Sequence, residues 1–231
     1  MIVQIYAVTS VAEALQLATL GVDQIGFIAG EYGEVPGELS FERARAIADA
    51  LSGRALSSAL TMSTDVAEIE RMAAAVRPAI VHISSDTEAV GVAALRHLRA
   101  RLPEHTRLMK AVHVAGNESI ELALQFAPVA DMVLLDTKVA GMPGVGATGV
   151  THDWNISREI IARVGQRSRV ILAGGLTPEN VGAAIQVTHP WGVDSNTGTN
   201  LAGDAVRKDV ARVGRFVAAA RRQQADTSRG E

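Results

Sequence analysis

The stretch "RVILAGGLTPENVGAAIQVTHPWGVDSNTGTN", Arg169 to Asn200, decides the fold. After Arg169, Val170–Ala173 form a short apolar run with β-branched side chains, and Gly174-Gly175 breaks it. An alanine-rich segment of helical period follows from Pro178 to Val187, with Thr177 as a capping hydroxyl ahead of a proline suited to a first helical position. Gly192–Asp194 then opens another strand-like run, which again dissolves into small polar residues. Strand, helix and strand in this order form the unit from which parallel sheets are built.

The same alternation runs from end to end. Strands are predicted at Ile2–Ala7, Gln24–Ile28, Ala55–Leu60, Ile80–Ile83, Arg107–Val112, Met132–Leu135, Arg169–Ala173 and Gly192–Asp194. Helices are predicted at Val11–Leu20, Phe41–Leu51, Val66–Val76, Glu88–Ala100, Ile120–Phe126, Ser157–Val164, Pro178–Val187 and Asp204–Arg222. Gly21 and Gly53 fall where helices should stop. Eight strands alternating with eight helices over 231 residues match the rhythm of a (β/α)8 TIM barrel, with a doubly wound open sheet as the competing arrangement. No linker, repeat or low-complexity block interrupts the pattern, so residues 1–222 read as a single domain and 223–231 as a disordered tail.

Composition narrows the function classes. The chain is 48% hydrophobic and 20% charged, and no apolar run approaches the ~20 residues that cross a bilayer. A formal net charge of -3 argues against a nucleic-acid partner or an anionic membrane surface. The start, "MIVQIYAVTS", enters a strand pattern without the basic segment of a signal peptide, and a cytoplasmic location is expected. There is no cysteine, which removes disulfides, thiolate metal sites and a thiolate base together. The six histidines are scattered without close ligand spacing, so neither a metal nor a cofactor is expected.

A barrel collects its chemistry at the carboxyl ends of its strands. In "DMVLLDTKVAGMPGVGATGVTHDW" an apolar run carries Asp136 to such an end, and a glycine-rich segment follows, read as a loop that closes over a ligand. Asp136 is a candidate proton donor; its bland alternative is a cap or loop acceptor. The two strand ends Gly174-Gly175 and Asn196-Thr197-Gly198 are candidate phosphate cradles, because glycine lets backbone amides approach an anion; their alternative is an ordinary turn. His82 and His113 lie near the ends of the fourth and fifth strands, as neutral-pH bases or as hydrogen-bonded structural residues. Lys138 is a substrate contact or a solvated charge.

Three segments, "LLDTKVAGMPGVGATGVTHDW", "VILAGGLTPENV" and "GVDSNTGTN" followed by "VRKD", resemble in order and spacing the phosphoribosylanthranilate isomerase family of (β/α)8 enzymes. A weaker similarity covers nearly the whole chain. The resemblance implies an Amadori rearrangement, in which a phosphoribosyl-amine opens to a 1-amino-1-deoxy-ketose phosphate. It also implies Asp136 as the acid, and Gly174, Gly175, Asn196, Thr197 and Gly198 around the phosphate. Where the family's first strand reads like KICGIT, this chain has "QIYAVT": lysine becomes Gln4, the cysteine base becomes Tyr6 and glycine becomes Ala7. The family's arginine for the anthranilate carboxylate becomes Gly37, between Glu34 and Glu38. Tyr6 is then a base only if its phenol pKa is strongly depressed, and otherwise a pocket filler. With the base and the aromatic-acid contact both replaced, the favoured expectation is an isomerase of another phosphorylated sugar or sugar derivative, working as a monomer or homodimer. The alternatives are the family reaction with a substituted base, and a non-catalytic phosphosugar-binding relative.

Overall fold

The computed structural model describes residues 1–137 and 151–227. Its strands are β1 (Ile2–Ile5), β2 (Gln24–Ala29), β3 (Glu38–Leu39), β4 (Leu56–Thr61), β5 (Ile80–Ile83), β6 (Arg107–Val114), β7 (Met132–Thr137), β8 (Arg169–Leu172) and β9 (Gly192–Ser195). Its helices are α1 (Val11–Thr19), α2 (Phe41–Ala50), α3 (Val66–Val76), α4 (Val92–Arg101), α5 (Glu118–Phe126), α6 (Trp154–Val164), α7 (Val181–Thr188) and α8 (Val210–Thr227). All pairings between these strands are parallel, and β1 pairs with both β2 (Gln4↔Gln24) and β9 (Gln4↔Asp194). That double pairing closes the sheet into a barrel, which decides against the open sheet.

Closure divides the apolar residues into two cores, because side chains alternate across each strand. Tyr6, Ile28, Leu60, Ile80, Met109, Met132 and Ile171 fill the inside of the barrel. Val3, Ile25, Phe27, Val81, Leu108, Val133 and Val193 face the helices. Four helices start at side-chain caps, with Ser10, Ser40, Asp65 and Asp153 accepting amides at 2.9–3.3 Å. Each such cap contributes about 1 kcal/mol.

The element bounds differ from the sequence reading where side chains capture the backbone. Glu38 and Leu39 add a two-residue strand beside Ile28 and Ala29, too short for any periodicity to reveal. The fourth helix begins at Val92 rather than Glu88, since Gly91 is extended and the amides of Ala89 and Val90 turn back to the Asp86 carbonyl. The seventh begins at Val181 because Asn180 accepts the Thr177 amide at 2.7 Å and Thr177 accepts the Glu179 amide. The last begins at Val210, six residues late, because Asp204 takes the amides of Val206 and Arg207 and an Asn200–Lys208 bridge keeps the chain extended. It continues to Thr227, into the segment read as a tail, through residues that are mostly good helix formers.

Gly214 lies within α8 with open space where a Cβ would stand. Gly214→Ala is therefore expected to stabilise the protein by roughly 0.5–1 kcal/mol, since glycine forfeits that much in a helix interior. A thermal melt reads this as a rise in Tm of about 1–4 °C; no rise would mean that α8 does not share in the cooperative unfolding.

Candidate active site

The C-terminal mouth of the barrel holds a cavity of about 240 Å³. Asp136, Tyr6, His82, Gly174, Gly175, Asn196, Thr197 and Gly198 all line it, so the structure brings together most of the residues singled out from the sequence. Gln4 and His113 are not among its lining residues, and Lys138 lies outside the described residues.

Asp136 points inward from the end of β7, on the same face as Met132 and Leu134. It is 4% exposed, and its Oδ1 accepts the Thr137 amide at 2.7 Å. Burial pushes its carboxyl up to about 8, the amide hydrogen bond opposes this, and charge on Asp194 adds to it. At neutral pH Asp136 is thus a carboxylic acid with a proton to give.

Asp194, at the end of β9, lines the same cavity. Its Oδ1 accepts a hydrogen bond from Gln4 Nε2 at 3.1 Å. Burial pushes it up to about 7, against the Gln4 hydrogen bond and the Lys208 charge. The rule that singles out Asp136, an inward polar residue at a strand's carboxyl end, applies equally to Asp194. Lys208 was overlooked altogether. It is buried, its Nζ donates to the Asn196 carbonyl at 3.1 Å, to Asn196 Oδ1 at 3.0 Å and to Asn200 Oδ1 at 2.5 Å, and burial pulls it down to about 8. No spacing rule reports a lysine that folds back beneath its own loop.

Tyr6 takes a different part from a base. Its ring occupies the space that a side chain at position 26 would need, with Tyr6 carbons 2.4 Å from the place of a Gly26 Cβ. Its hydroxyl crosses the barrel to Ser58 Oγ and His82 Nδ1, both at 2.6 Å. Burial raises its phenol well above 10, with only the Ser58 hydrogen bond opposing, so the hydroxyl stays neutral and committed. His82 is equally enclosed: burial lowers it to about 3, with the charges of Lys110 and His113 adding. Tyr6 and His82 are thus both held neutral, joined through the Tyr6 hydroxyl and His82 Nδ1, while His82 Nε2 makes no hydrogen bond. Beside them Ala7 stands at φ 66°, in the left-handed region that favours glycine.

The glycine loops meet across the mouth. Gly174 and Gly175 have φ of 83° and 64°. A Cβ on Gly174 would fall 2.2 Å from Thr137 Oγ1, and one on Gly198 would fall 2.0 Å from the Leu176 carbonyl. Ser195 Oγ donates to that same carbonyl at 2.8 Å, tying the two loops together. Thr197–Thr199 form a 3-10 turn, whose leading amides have no partner within the turn. His152 bridges Thr137 Oγ1 at 3.0 Å and Ser157 Oγ at 2.6 Å, holding the end of β7 to α6.

At the other side of the mouth Gly37 has φ 89°, and a Cβ there would meet Val206 at 3.2 Å. Glu38 turns away from the cavity, accepting the amides of Gly33, Glu34 and Val35 at 2.6–2.9 Å. The wall is apolar: Ile28, Val35, Pro36, Leu60 and Met62. Among the described residues no cluster of histidine and carboxylate side chains has the arrangement of a metal site, and no helix is long and apolar enough to cross a membrane.

The closed parallel barrel, with its cavity at the carboxyl ends of the strands, places the chain among the (β/α)8-barrel enzymes. The sequence pattern of one isomerase family, described as N-(5'-phosphoribosyl)anthranilate (PRA) isomerase, spans residues 3–219. The N-(5'-phosphoribosyl)anthranilate isomerase of Methanocella arvoryzae is 34% identical over 93% of this chain and 95% of its own length. That of Haloferax volcanii is 32% identical over 95% of this chain and 92% of its own. The chain belongs to the N-(5'-phosphoribosyl)anthranilate isomerase family. Among solved structures, phosphoribosyl anthranilate isomerase from Thermotoga maritima superposes with a TM-score of 0.80, 26% identity and coverage of 96% of this chain and 99% of that one. A further structure of phosphoribosyl anthranilate isomerase, at 25% identity and a TM-score of 0.76 over 96% of this chain and 99% of that one, is a complex with reduced 1-(o-carboxyphenylamino)-1-deoxyribulose 5-phosphate.

Proposed function

We propose that the chain catalyses the Amadori rearrangement of N-(5'-phosphoribosyl)anthranilate, a step of tryptophan synthesis in the cytoplasm, with Asp136 as general acid. The observation that carries this is the buried, protonated carboxyl of Asp136 facing a cavity whose other lining includes Gly174, Gly175 and Gly198. Phosphate seated between the glycine loops would leave the ribose ring over the barrel, with its ring oxygen toward Asp136. The acid protonates that oxygen as the C1–O bond breaks, and the nitrogen lone pair forms the C1=N bond of the opened imine. The identity to named isomerases over nearly the full length supports this reading ahead of the altered-substrate reading favoured from the departures at Gln4, Tyr6 and Gly37.

The test is purified protein given freshly generated N-(5'-phosphoribosyl)anthranilate, together with growth without tryptophan of a cell that lacks its own isomerase. Conversion to the deoxyribulose phosphate and rescue of growth are expected. Absence of both, with inorganic phosphate still bound, overturns the reading.

One observation favours a second substrate. Among the described residues the wall around Val35 and Pro36 holds no cation, Gly37 has no room or backbone freedom for a long side chain, and Glu38 is tied to its own loop. A carboxylate on the aromatic ring would find no bidentate partner there. The ratio of kcat/KM for the anthranilate and aniline derivatives of phosphoribosylamine separates the readings: preference for the uncharged aniline supports the second, preference for anthranilate the first.

A further inference from the structure

Among the described residues, the titratable side chains lining the cavity are Tyr6, His82, Asp136 and Asp194. The first two are hydrogen-bonded to each other through the Tyr6 hydroxyl and His82 Nδ1 and are held neutral by burial; His82 Nε2 is unpartnered, but a ring lowered to about 3 is a weak base. Asp136 carries the proton that the reaction must donate. An Amadori rearrangement still needs a group to take the C2 proton, and the position where relatives are expected to carry a cysteine holds Tyr6.

We propose that Asp194 is the catalytic base that removes the C2 proton of the opened substrate. The inference rests on the reading that this cavity opens and isomerises a phosphorylated ribosylamine. Asp194 stands on β9, the strand hydrogen-bonded to β1, and is paired in register with Gln4, two residues before Tyr6. It therefore lies next to the place of the missing base and faces the same cavity as Asp136. Gln4 Nε2 holds one carboxylate oxygen at 3.1 Å, and the Gln4 side-chain oxygen has no partner of its own.

The identity of residue 4 matters as much as that of residue 6. A lysine at that distance from Asp194 would hold its carboxyl ionised and weakly basic. A neutral amide orients the carboxylate without doing so. Lys208, the cation nearest below, is saturated by Asn196 and Asn200 and lies beside Glu13, whose Oε1 accepts the Lys208 amide at 2.9 Å. Burial leaves Asp194 titrating near 7, just below Asp136 near 8; each accepts one hydrogen bond, and the Lys208 charge acts on Asp194 in addition. The more easily ionised partner takes a proton while the other gives one.

The step balances. Asp194 carboxylate removes the proton from C2, the C2–H electron pair forms the C1=C2 bond, and the C1=N π pair moves to nitrogen, giving the enolamine. The cycle closes when the proton on Asp194 passes to C1 and the O2 hydroxyl proton passes to Asp136, leaving a C2 ketone and both carboxyls as they began.

The test compares Asp194→Asn, Asp194→Glu and the wild type for kcat, KM, the pH profile and solvent deuterium entering C1 of ribulose 5-phosphate. The groups around Asp194 that bear on its titration are Gln4 and Tyr6 of β1, Lys208 ahead of α8 and Asp136 across the mouth. Asp194→Asn should lose about 10³-fold in kcat, with KM within about 3-fold, and should lose the acidic limb of the profile; Asp194→Glu should keep that limb and recover part of the rate. A kcat within 10-fold of wild type and an unchanged acidic limb overturn the assignment while leaving the proposed function intact. If the wild type converts no N-(5'-phosphoribosyl)anthranilate yet exchanges deuterium in a manner that needs Asp194, the anthranilate reading fails and the base stands. If it neither converts nor exchanges, both fail.

Discussion

Asp136→Asn is expected to lower kcat by about 10³-fold and at the same time to make the protein more heat-stable at pH 8. The loss follows from removing the proton that the ring oxygen must receive; an amide of the same shape cannot supply it. The gain follows from the same burial that makes Asp136 an acid. Its folded carboxyl titrates near 8, whereas an unfolded one titrates near 3.8. The folded state therefore binds more protons between those values, so stability falls as pH rises from about 4 to about 8 and the full penalty stands above that range. On the order of 5 kcal/mol of penalty disappears in the variant at pH 8. Part is offset because a buried amide needs partners of its own, so a Tm rise of about 5 °C is expected at pH 8. At pH 4, where the wild-type carboxyl is protonated and only the cost of the amide remains, the variant should melt slightly below the wild type. In the wild type, kcat should fall as pH rises through about 8, where the acid loses its proton. A variant with near-normal kcat would remove Asp136 from the chemistry, and equal melting temperatures at pH 8 would mean that the carboxyl is hydrated in the folded state.

Gly198→Ala should raise KM for the phosphorylated substrate by about 10–100-fold, a loss of about 1.4–2.8 kcal/mol in binding. The new Cβ would sit 2.0 Å from the Leu176 carbonyl and 3.0 Å from Ser195 Oγ. Neither can yield alone, because Ser195 Oγ already donates to that carbonyl and Arg212 Nε holds the Gly198 carbonyl at 2.6 Å. The loop after β8 and the 3-10 turn after β9 must separate, and the amides proposed to hold the phosphate diverge. Gly174→Ala should act similarly, with a Cβ 2.2 Å from Thr137 Oγ1 and a φ of 83° that disfavours any side chain. Steady-state kinetics and calorimetric titration with inorganic phosphate read both changes. A KM within 2-fold of wild type in both variants would place the phosphate elsewhere.

Much of the framework is written in local patterns. Largely apolar runs such as "IVHI" and "RVIL" make up β5 and β8, because a strand covered on both faces needs mostly apolar side chains. Asp136 was legible for the same reason: four residues of buried strand lead to it, and a carboxylate at such an end belongs to the mouth of a barrel. The helix starts at Val92, Val181 and Val210 were not legible, because each depends on a side chain or glycine a few residues upstream competing with the helix for backbone amides.

The amino-acid sequence alone determined the order of elements, the glycine-rich ends that a phosphate would use and the candidate acid, since these follow from periodicity, backbone freedom and position along a strand. Tertiary structure alone decided that the sheet closes, and closure sets β1 beside β9. That juxtaposition brings Gln4 to Asp194 across 190 residues of chain and carries Tyr6 over the barrel to Ser58 and His82. Whether a tyrosine or a carboxyl acts as a base depends on how far burial and its neighbours move its pKa. Desolvation and contact between distant strands are properties of the folded barrel, and no local pattern encodes them.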